Sequence, residues 1–395
     1  MNNYWLSILE NKIEKKKKED SYRSFYVIDK TDGKYITINN KKLINFSSNN
    51  YLGLANDERI IDAGFKFAKE FGAGSGASRL VSGTTSIFID LEDKIAKWVN
   101  KESALLFNSG YTANIGLLSS LADKNTVIFC DRLDHASIYD GIVQSMAIME
   151  RYRHNDIEHL STLLEKYKDH EKKIVITDTV FSMDGDITRL NDIVGLKKNH
   201  NFLLIVDEAH SLGIFGKNGS GLVNQLNLAD EVDIIMGTLG KSVGVFGAFV
   251  AGDRILIDYL INFCRSFIFT TAFSPFVVGA IDKSIDIIQK ENRGEIVLKK
   301  AKDLTKRFKE EGIDTHNSET QIIPVITRKN RLSLDLMRYL MDNGIFTPAI
   351  RPPTVQPDTA RVRLSLSYFH TDQDIEIVFQ LIKNWFLDNK NLYDS

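Results

Sequence analysis

Apolar residues along this chain keep two rhythms. Short apolar runs stand at 103–107, 126–130, 173–178, 202–207, 233–238 and 248–251. Between most of them apolar positions recur at helical spacing, notably over 111–121, 137–145 and 156–168. Strands buried on both faces that alternate with helices mark a parallel sheet, because each parallel connection needs a crossover. The pattern predicts an α/β domain whose largely parallel sheet is covered by helices. Upstream, residues 4–20 read as a polar helix, and 35–38 and 43–46 as strands around the Asn39-Asn40 turn signal. A glycine-rich segment, Gly72 to Arg79, precedes a helical pattern over 86–98. A long helical stretch over 276–310 leads into a smaller C-terminal α+β domain. The expected division is an N-terminal helix and strand segment (1–45), a large α/β domain (46–285) and a small C-terminal domain (286–395).

Composition narrows the class without naming a chemistry. At 395 residues the chain is too long for one simple core. A formal charge of -2 leaves no global basic field for nucleic acid. The cluster Lys15 to Lys18, followed by Glu19 and Asp20, reads as a solvated helix face. The N-terminus lacks a basic region followed by an apolar run, and no uninterrupted apolar stretch is long enough to span a membrane. These features predict a cytoplasmic protein without a membrane partner. Cys130 and Cys264, each in an apolar stretch, read as buried free thiols rather than a disulfide or metal site.

The chemistry gathers where the predicted strands end. The run from Phe202 through Val206 closes on Asp207-Glu208-Ala209-His210, which puts a carboxylate at the ligand-binding edge of a parallel sheet. Taken alone, such an Asp is a turn cap. The same four letters also spell the acidic box of some ATP-driven helicases, and Gly240-Lys241-Ser242 mimics the end of a phosphate loop. That loop requires a glycine five residues before Gly240, where Ile235 stands, and it would have to precede the acidic box. The glycine-rich Val243 to Ala248 that follows is also a poor start for a phosphate-capping helix.

Pyridoxal phosphate fits the same residues better. It needs a Lys for the Schiff base, an acid to keep the pyridine nitrogen protonated, phosphate donors and a ring-stacking group. Lys241 follows one predicted strand and Asp207 the one before it. Thr238 offers a hydroxyl, and the strand–helix junction from Asn108 to Asn114 offers amides for an anion. His135 could stack on a ring, and Ser182 could bond a phenolic oxygen. Singly, each of these is an ordinary cap, turn or surface residue. Their weight comes from falling after successive strands.

The chain resembles the α-oxoamine synthases, a branch of the fold-type I pyridoxal-phosphate transferases. The resemblance rests on Ser47 to Leu54, Gly74 to Gly83, Asp131 to Ser137, Phe181 to Asp186, Val206 to His210 and Thr238 to Lys241. It implies that Lys241 carries the cofactor and moves the amino acid's α-proton. Asp207 would pair with the pyridine nitrogen, and His210 and Ser182 would lie near the phenolic oxygen. His135 would stack on the ring. Gly110, Tyr111 and Thr238 would contact the cofactor, the last two around its phosphate. Arg351 would clamp the amino acid's carboxylate with Asn49 nearby, while Arg23 and Thr354 match substrate-contact positions. No metal is implied.

The segments Ile350 to Val355 and Ala360 to Ser365 point, by the same resemblance, to decarboxylative condensation of L-alanine with a pimeloyl thioester. The acyl carrier would be coenzyme A or acyl carrier protein, and the step would belong to biotin formation. The family also implies a homodimer with shared active sites, to which Thr270 and Thr271 would contribute. Asn50 and Ala77 depart from the common Asp and Gly of the family. Asn50 removes a charge near the expected entrance.

Overall fold

The computed structural model describes residues 1–389, which divide into two compact units. The larger contains Asn49–Ser182 and Asp186–Leu298; the smaller contains Met1–Ser48, Met183–Gly185 and the chain from Lys299 onward. In chain order the strands are β1 (Lys30–Thr31), β2 (Tyr35–Ile38), β3 (Lys41–Asn45), β4 (Ser103–Phe107), β5 (Val127–Asp131), β6 (Ile148–Tyr152) and β7 (Lys173–Asp178). They continue with β8 (Leu203–Asp207), β9 (Ile234–Thr238), β10 (Ala248–Gly252), β11 (Ile322–Arg328), β12 (Ile345–Phe346), β13 (Ala349–Ile350) and β14 (Ala360–Ser365).

The larger unit is built on a seven-stranded sheet in the order β4-β10-β9-β8-β7-β5-β6. Only β10 runs against its neighbours β4 and β9; the remaining pairs are parallel, so six strands point the same way. Alternate residues such as Ile128 and Cys130, or Ile174 and Ile176, face one side and join a single apolar cluster. Helices Gly110–Leu121 and Ala136–Ser145 cover that side with Ala113, Leu117, Leu118, Ile138 and Ile142. Gly141 lets these two helices approach closely: a Cβ there would lie 3.0 Å from the Asn114 carbonyl oxygen. Ser109 starts the first helix with a capping box to Thr112, and Asp156 caps Ile157–Lys166.

The smaller unit has two modest sheets, β1-β2-β3-β12 and β11-β14-β13, with helices Asn330–Asp342 and Asp372–Asp388. Thr371 caps the last helix through a reciprocal bond with Asp374. The N-terminal strands thus share a sheet with a C-terminal one, since β3 pairs in parallel with β12.

The sequence-predicted strands of the main sheet appear within a residue of their expected limits, and the largely parallel sheet is as expected. The stretch over 276–310 forms two helices, Pro275–Lys290 and Arg293–Glu310, rather than one. Strand β6 escaped the apolar pattern because it lies at the sheet edge, where Ile148 and Arg151 are exposed and only Tyr152 is buried. Both cysteines are buried free thiols.

Leu117 has 0% exposure in the main cluster. Leu117→Ala should leave a cavity beneath the helix and remove roughly 2–5 kcal/mol of stability, seen as a lowered urea midpoint at unchanged far-ultraviolet circular dichroism.

Candidate active site

Because six strands run the same way, their carboxyl ends line one edge of the sheet. β4 leads into Asn108-Ser109-Gly110, β5 into His135, β7 into Ser182, β8 into His210 and β9 into Lys241. All eight residues expected to hold the cofactor lie in the larger unit, at the strand ends or just beyond them, and Asn49 lies in the same unit.

Asp207 is 4% exposed. Its Oδ1 accepts the Ala209 amide at 2.9 Å and its Oδ2 accepts the Asn114 side-chain amide at 3.0 Å. The Asn114 amide also donates to Ser137 Oγ at 2.9 Å, which lies 2.8 Å from His135 Nδ1. A carboxylate has about four acceptor positions, so Asp207 keeps capacity for a further donor. On the adjacent strand end, Lys241 Nζ lies 2.8 Å from His210 Nε2. The other ring nitrogen of His210 lies 2.7 Å from the hydroxyl of Tyr51, which donates to Asn49 Oδ1 at 3.0 Å.

Gly110 and Tyr111 occupy the first two helical positions after the Ser109 cap, where a helix leaves its own amides unused. A Cβ on Gly110 would stand 2.7 Å from Thr238 Cγ2, so the glycine keeps an open cradle beside that threonine. The Tyr111 hydroxyl donates to Asp140. Asn50, where the family commonly has Asp, accepts the amides of Leu54 at 2.9 Å and Ala55 at 3.2 Å, so its oxygen caps a turn without a charge.

Burial lowers the affinity of His135 for a proton, against the pull of Asp207, and so favours the neutral imidazole. Burial and then the charge of Asp207 push Asp178 well above the ordinary carboxyl range; burial and then Asp178 do the same to Asp134. Each is nevertheless placed by backbone donors. Asp178 Oδ2 accepts the His135 amide at 3.0 Å, and Asp134 accepts the amides of Asp178 at 2.9 Å and Asp131 at 2.7 Å. Glu208 is pushed up to about 7, chiefly by burial, and its Oε1 accepts the Val223 amide.

His154, two residues beyond β6, lies between two carboxylates: Nδ1 is 3.0 Å from Asp131 and Nε2 2.7 Å from Asp186. Burial alone would lower its pKa, but the hydrogen bonds to these two acids prevail and raise it to about 10.

In the smaller unit, Arg23 donates to Thr354 Oγ1 at 2.8 Å. The Arg351 guanidinium donates to the carbonyls of Asp20 and Tyr22. Asn114, Tyr51 and His154 stand out from no motif: the first two lie inside the segments Asn108 to Asn114 and Ser47 to Leu54, and His154 follows the strand that the apolar pattern misses.

The family model for aminotransferase class I and II matches residues 41–382. A Bacillus cereus (strain G9842) protein named "Putative 8-amino-7-oxononanoate synthase" is 43% identical over 378 residues, covering 95% of this chain and 96% of the relative. A Bacillus mycoides (strain KBAB4) protein of the same name is 42% identical over 97% of both chains. Among solved structures, serine palmitoyltransferase from S. paucimobilis with a bound pyridoxal-phosphate adduct has a TM-score of 0.92 and 30% identity, covering 97% of this chain and 98% of that one. The 8-amino-7-oxononanoate synthase from Francisella tularensis has a TM-score of 0.77 and 29% identity, covering 88% and 99%.

The imidazolium of His154 gives the fold a pH signature. Its folded pKa of about 10 exceeds the ordinary 6.5, so its contribution is complete below 6.5, declines as pH rises and is gone beyond 10. The stability gap between the native protein and His154→Gln should be on the order of a few kcal/mol at the low end and close at the high end. Urea titrations across that range check this; a gap independent of pH would contradict it.

Proposed function

This chain belongs to the aminotransferase class I and II family, in its α-oxoamine synthase branch, and from that premise we propose that it condenses L-alanine with a pimeloyl thioester. The products are 8-amino-7-oxononanoate, carbon dioxide and the free thiol of the carrier, coenzyme A or acyl carrier protein. The observation that carries the reading is the placement of Asp207 and Lys241 at the ends of two paired parallel strands, one buried and held by two donors, the other beside His210. The choice of alanine and pimeloyl rests on the name shared by the Bacillus relatives.

Pyridoxal phosphate is the family's cofactor, and the residues present fit it. The open cradle at Gly110, the amides at that helix start and Thr238 suit a phosphate. Asp207 has acceptor capacity for a protonated pyridine nitrogen, and Lys241 is the amine for the aldehyde carbon. The imidazole of His135 suits the ring face, and Ser182 and His210 suit the phenolic oxygen. When bound, the cofactor supplies an electron sink for the pair left on the amino acid's α-carbon.

The protein's own groups do the rest. Lys241 Nζ takes the α-proton and later returns one to the same carbon. His210, between Lys241 Nζ and the Tyr51 hydroxyl, fixes the position of that amine and gives its proton a neighbour. Asp207, buried and tied to Asn114, would accept from the ring nitrogen. In this reading Arg351 takes the amino acid's carboxylate until it leaves as carbon dioxide, and Asn49, Arg23 and Thr354 contact substrate. The active form in this reading is a homodimer with shared sites.

A second reading has a specific observation behind it: the serine palmitoyltransferase structure gives the higher TM-score, 0.92 against 0.77. Serine and a long-chain acyl thioester would then replace alanine and pimeloyl. Mass spectrometry of products from purified holoenzyme, offered alanine or serine with pimeloyl- or palmitoyl-coenzyme A, separates the two. We expect 8-amino-7-oxononanoate from alanine and pimeloyl-coenzyme A; a long-chain product made only with serine would overturn the assignment.

Two variants test the residue roles. Lys241→Ala should abolish the visible absorbance of the lysine-bound cofactor and slow turnover by at least about 100-fold, the lower end of what a positioned proton-transfer group contributes. Survival of that absorbance would remove Lys241 from its role. Arg351→Ala should raise KM for the amino acid by about 10- to 100-fold, the range expected for a lost charged hydrogen bond, with a smaller change in KM for the thioester.

A further inference from the structure

Outside the residues assigned above, one half-buried cluster around two buried carboxylates touches both loops that would hold the cofactor ring. Its centre is His154-Asn155. The imidazole bridges Asp131 Oδ1 at 3.0 Å and Asp186 Oδ2 at 2.7 Å. The neighbouring Asn155 amide donates to Asp131 Oδ2 at 2.8 Å, and its side-chain amide donates to Asp186 Oδ2 at 3.0 Å and to the Ile187 carbonyl at 3.1 Å. The ring meets Phe181 edge-on at 4.5 Å between centroids.

The geometry suits a charged ring. A neutral imidazole has one N–H, whereas both ring nitrogens here face carboxylate oxygens. Both carboxylates are already placed as acceptors: Asp131 Oδ1 also accepts the Leu133 amide at 2.8 Å and Oδ2 the Asn155 amide, and Asp186 Oδ2 accepts the Asn155 side-chain amide. Asp131 and Asp186 are both buried, so the arrangement needs a cation between them.

The two carboxylates belong to different loops. Asp131 ends β5 and opens the turn to His135; Asp186 closes the turn that carries Ser182, with Phe181 bonded back to its carbonyl at 3.1 Å. From Asp131 the chain of bonds continues through Asp134 and Asp178 to the His135 amide. We propose that His154 is a positioning residue, whose imidazolium latches the loop of His135 to the loop of Ser182 and so fixes the ring-stacking group relative to the partner of the phenolic oxygen. The inference rests on the cofactor assignments made under the proposed function.

The test uses the full chain, freed of cofactor and titrated with pyridoxal phosphate, following visible absorbance and circular dichroism. His154→Gln keeps one neutral donor and removes the charge. It should weaken binding on the order of tenfold, the loss typical of removing an outer partner that orients a ligand-holding group. The visible dichroism per bound cofactor should fall as well, because the ring is held less rigidly. Asp186→Asn alone should give a smaller loss, and it serves where His154→Gln does not fold. The double variant His154→Gln/Asp186→Asn removes one of the two uncompensated carboxylates, and should bind more tightly than His154→Gln. A lowered melting temperature with native affinity and dichroism in both single variants would reduce His154 to a structural part and overturn the latch. Native protein with no visible band on titration would instead refute the cofactor assignments beneath it.

Discussion

A parallel ladder sends the carboxyl end of every strand to one edge of the sheet, where the chain must turn back through a crossover. Six strands of the main sheet obey this constraint, and each delivers a residue of consequence within a few positions of its end. Gly110, His135, His154, Ser182, His210 and Lys241 follow β4, β5, β6, β7, β8 and β9 in turn. Reversing any one strand would move its residue to the far edge. The single antiparallel strand, β10, contributes packing through Ala248 and Val250 and none of the expected cofactor residues.

The same edge gathers negative charge, and the fold handles it in three ways. Asp207 is satisfied by an amide from the backbone and one from Asn114. Asp134 and Asp178, held by backbone amides, are driven toward the protonated form by burial and then by a neighbouring carboxylate, Asp178 for the first and Asp207 for the second. Asp131 and Asp186 share a cation, His154. A buried carboxylate with none of these would cost several kcal/mol. The polar residues that flank the site are therefore as necessary as those within it.

Much of this was legible in the sequence, for physical reasons. Strands β7, β8 and β9 are buried on both faces, so their apolar runs were unbroken, and Asp207 and Lys241 could be placed by counting from strand ends. The false phosphate loop at Gly240-Lys241-Ser242 failed on its spacing, on its order after the acidic box and on the glycine-rich segment that follows it. What the sequence hid lay where burial is one-sided or absent. β6 lies at the edge with an exposed Arg151, so no apolar run announced it, and His154 beyond it had no strand end to count from. Asn114 and Tyr51 were visible as letters, but their partners Asp207 and His210 are 93 and 159 residues away. Helical phase puts Asn114 one turn below Gly110, though not which carboxylate it meets. The break between helices Pro275–Lys290 and Arg293–Glu310 was likewise unmarked, since no proline or turn pair interrupts Glu291-Asn292.

Stability alone does not call for an imidazolium between two buried acids. Ion pairs of this kind roughly break even with apolar packing of equal volume, because desolvation cancels most of the attraction. An apolar trio at these positions would bury the same surface and still leave the loops free to slide by a fraction of an ångström. Charge-assisted hydrogen bonds are short and directional. His154 and Asn155 make five of them or their neutral counterparts to Asp131, Asp186 and Ile187. Such bonds fix the spacing of two loops in a way that contact area cannot. A planar ring stacked by His135 and bonded at its edge by Ser182 needs that spacing to be a constant of the fold, which gives the charges a use that their modest net energy does not.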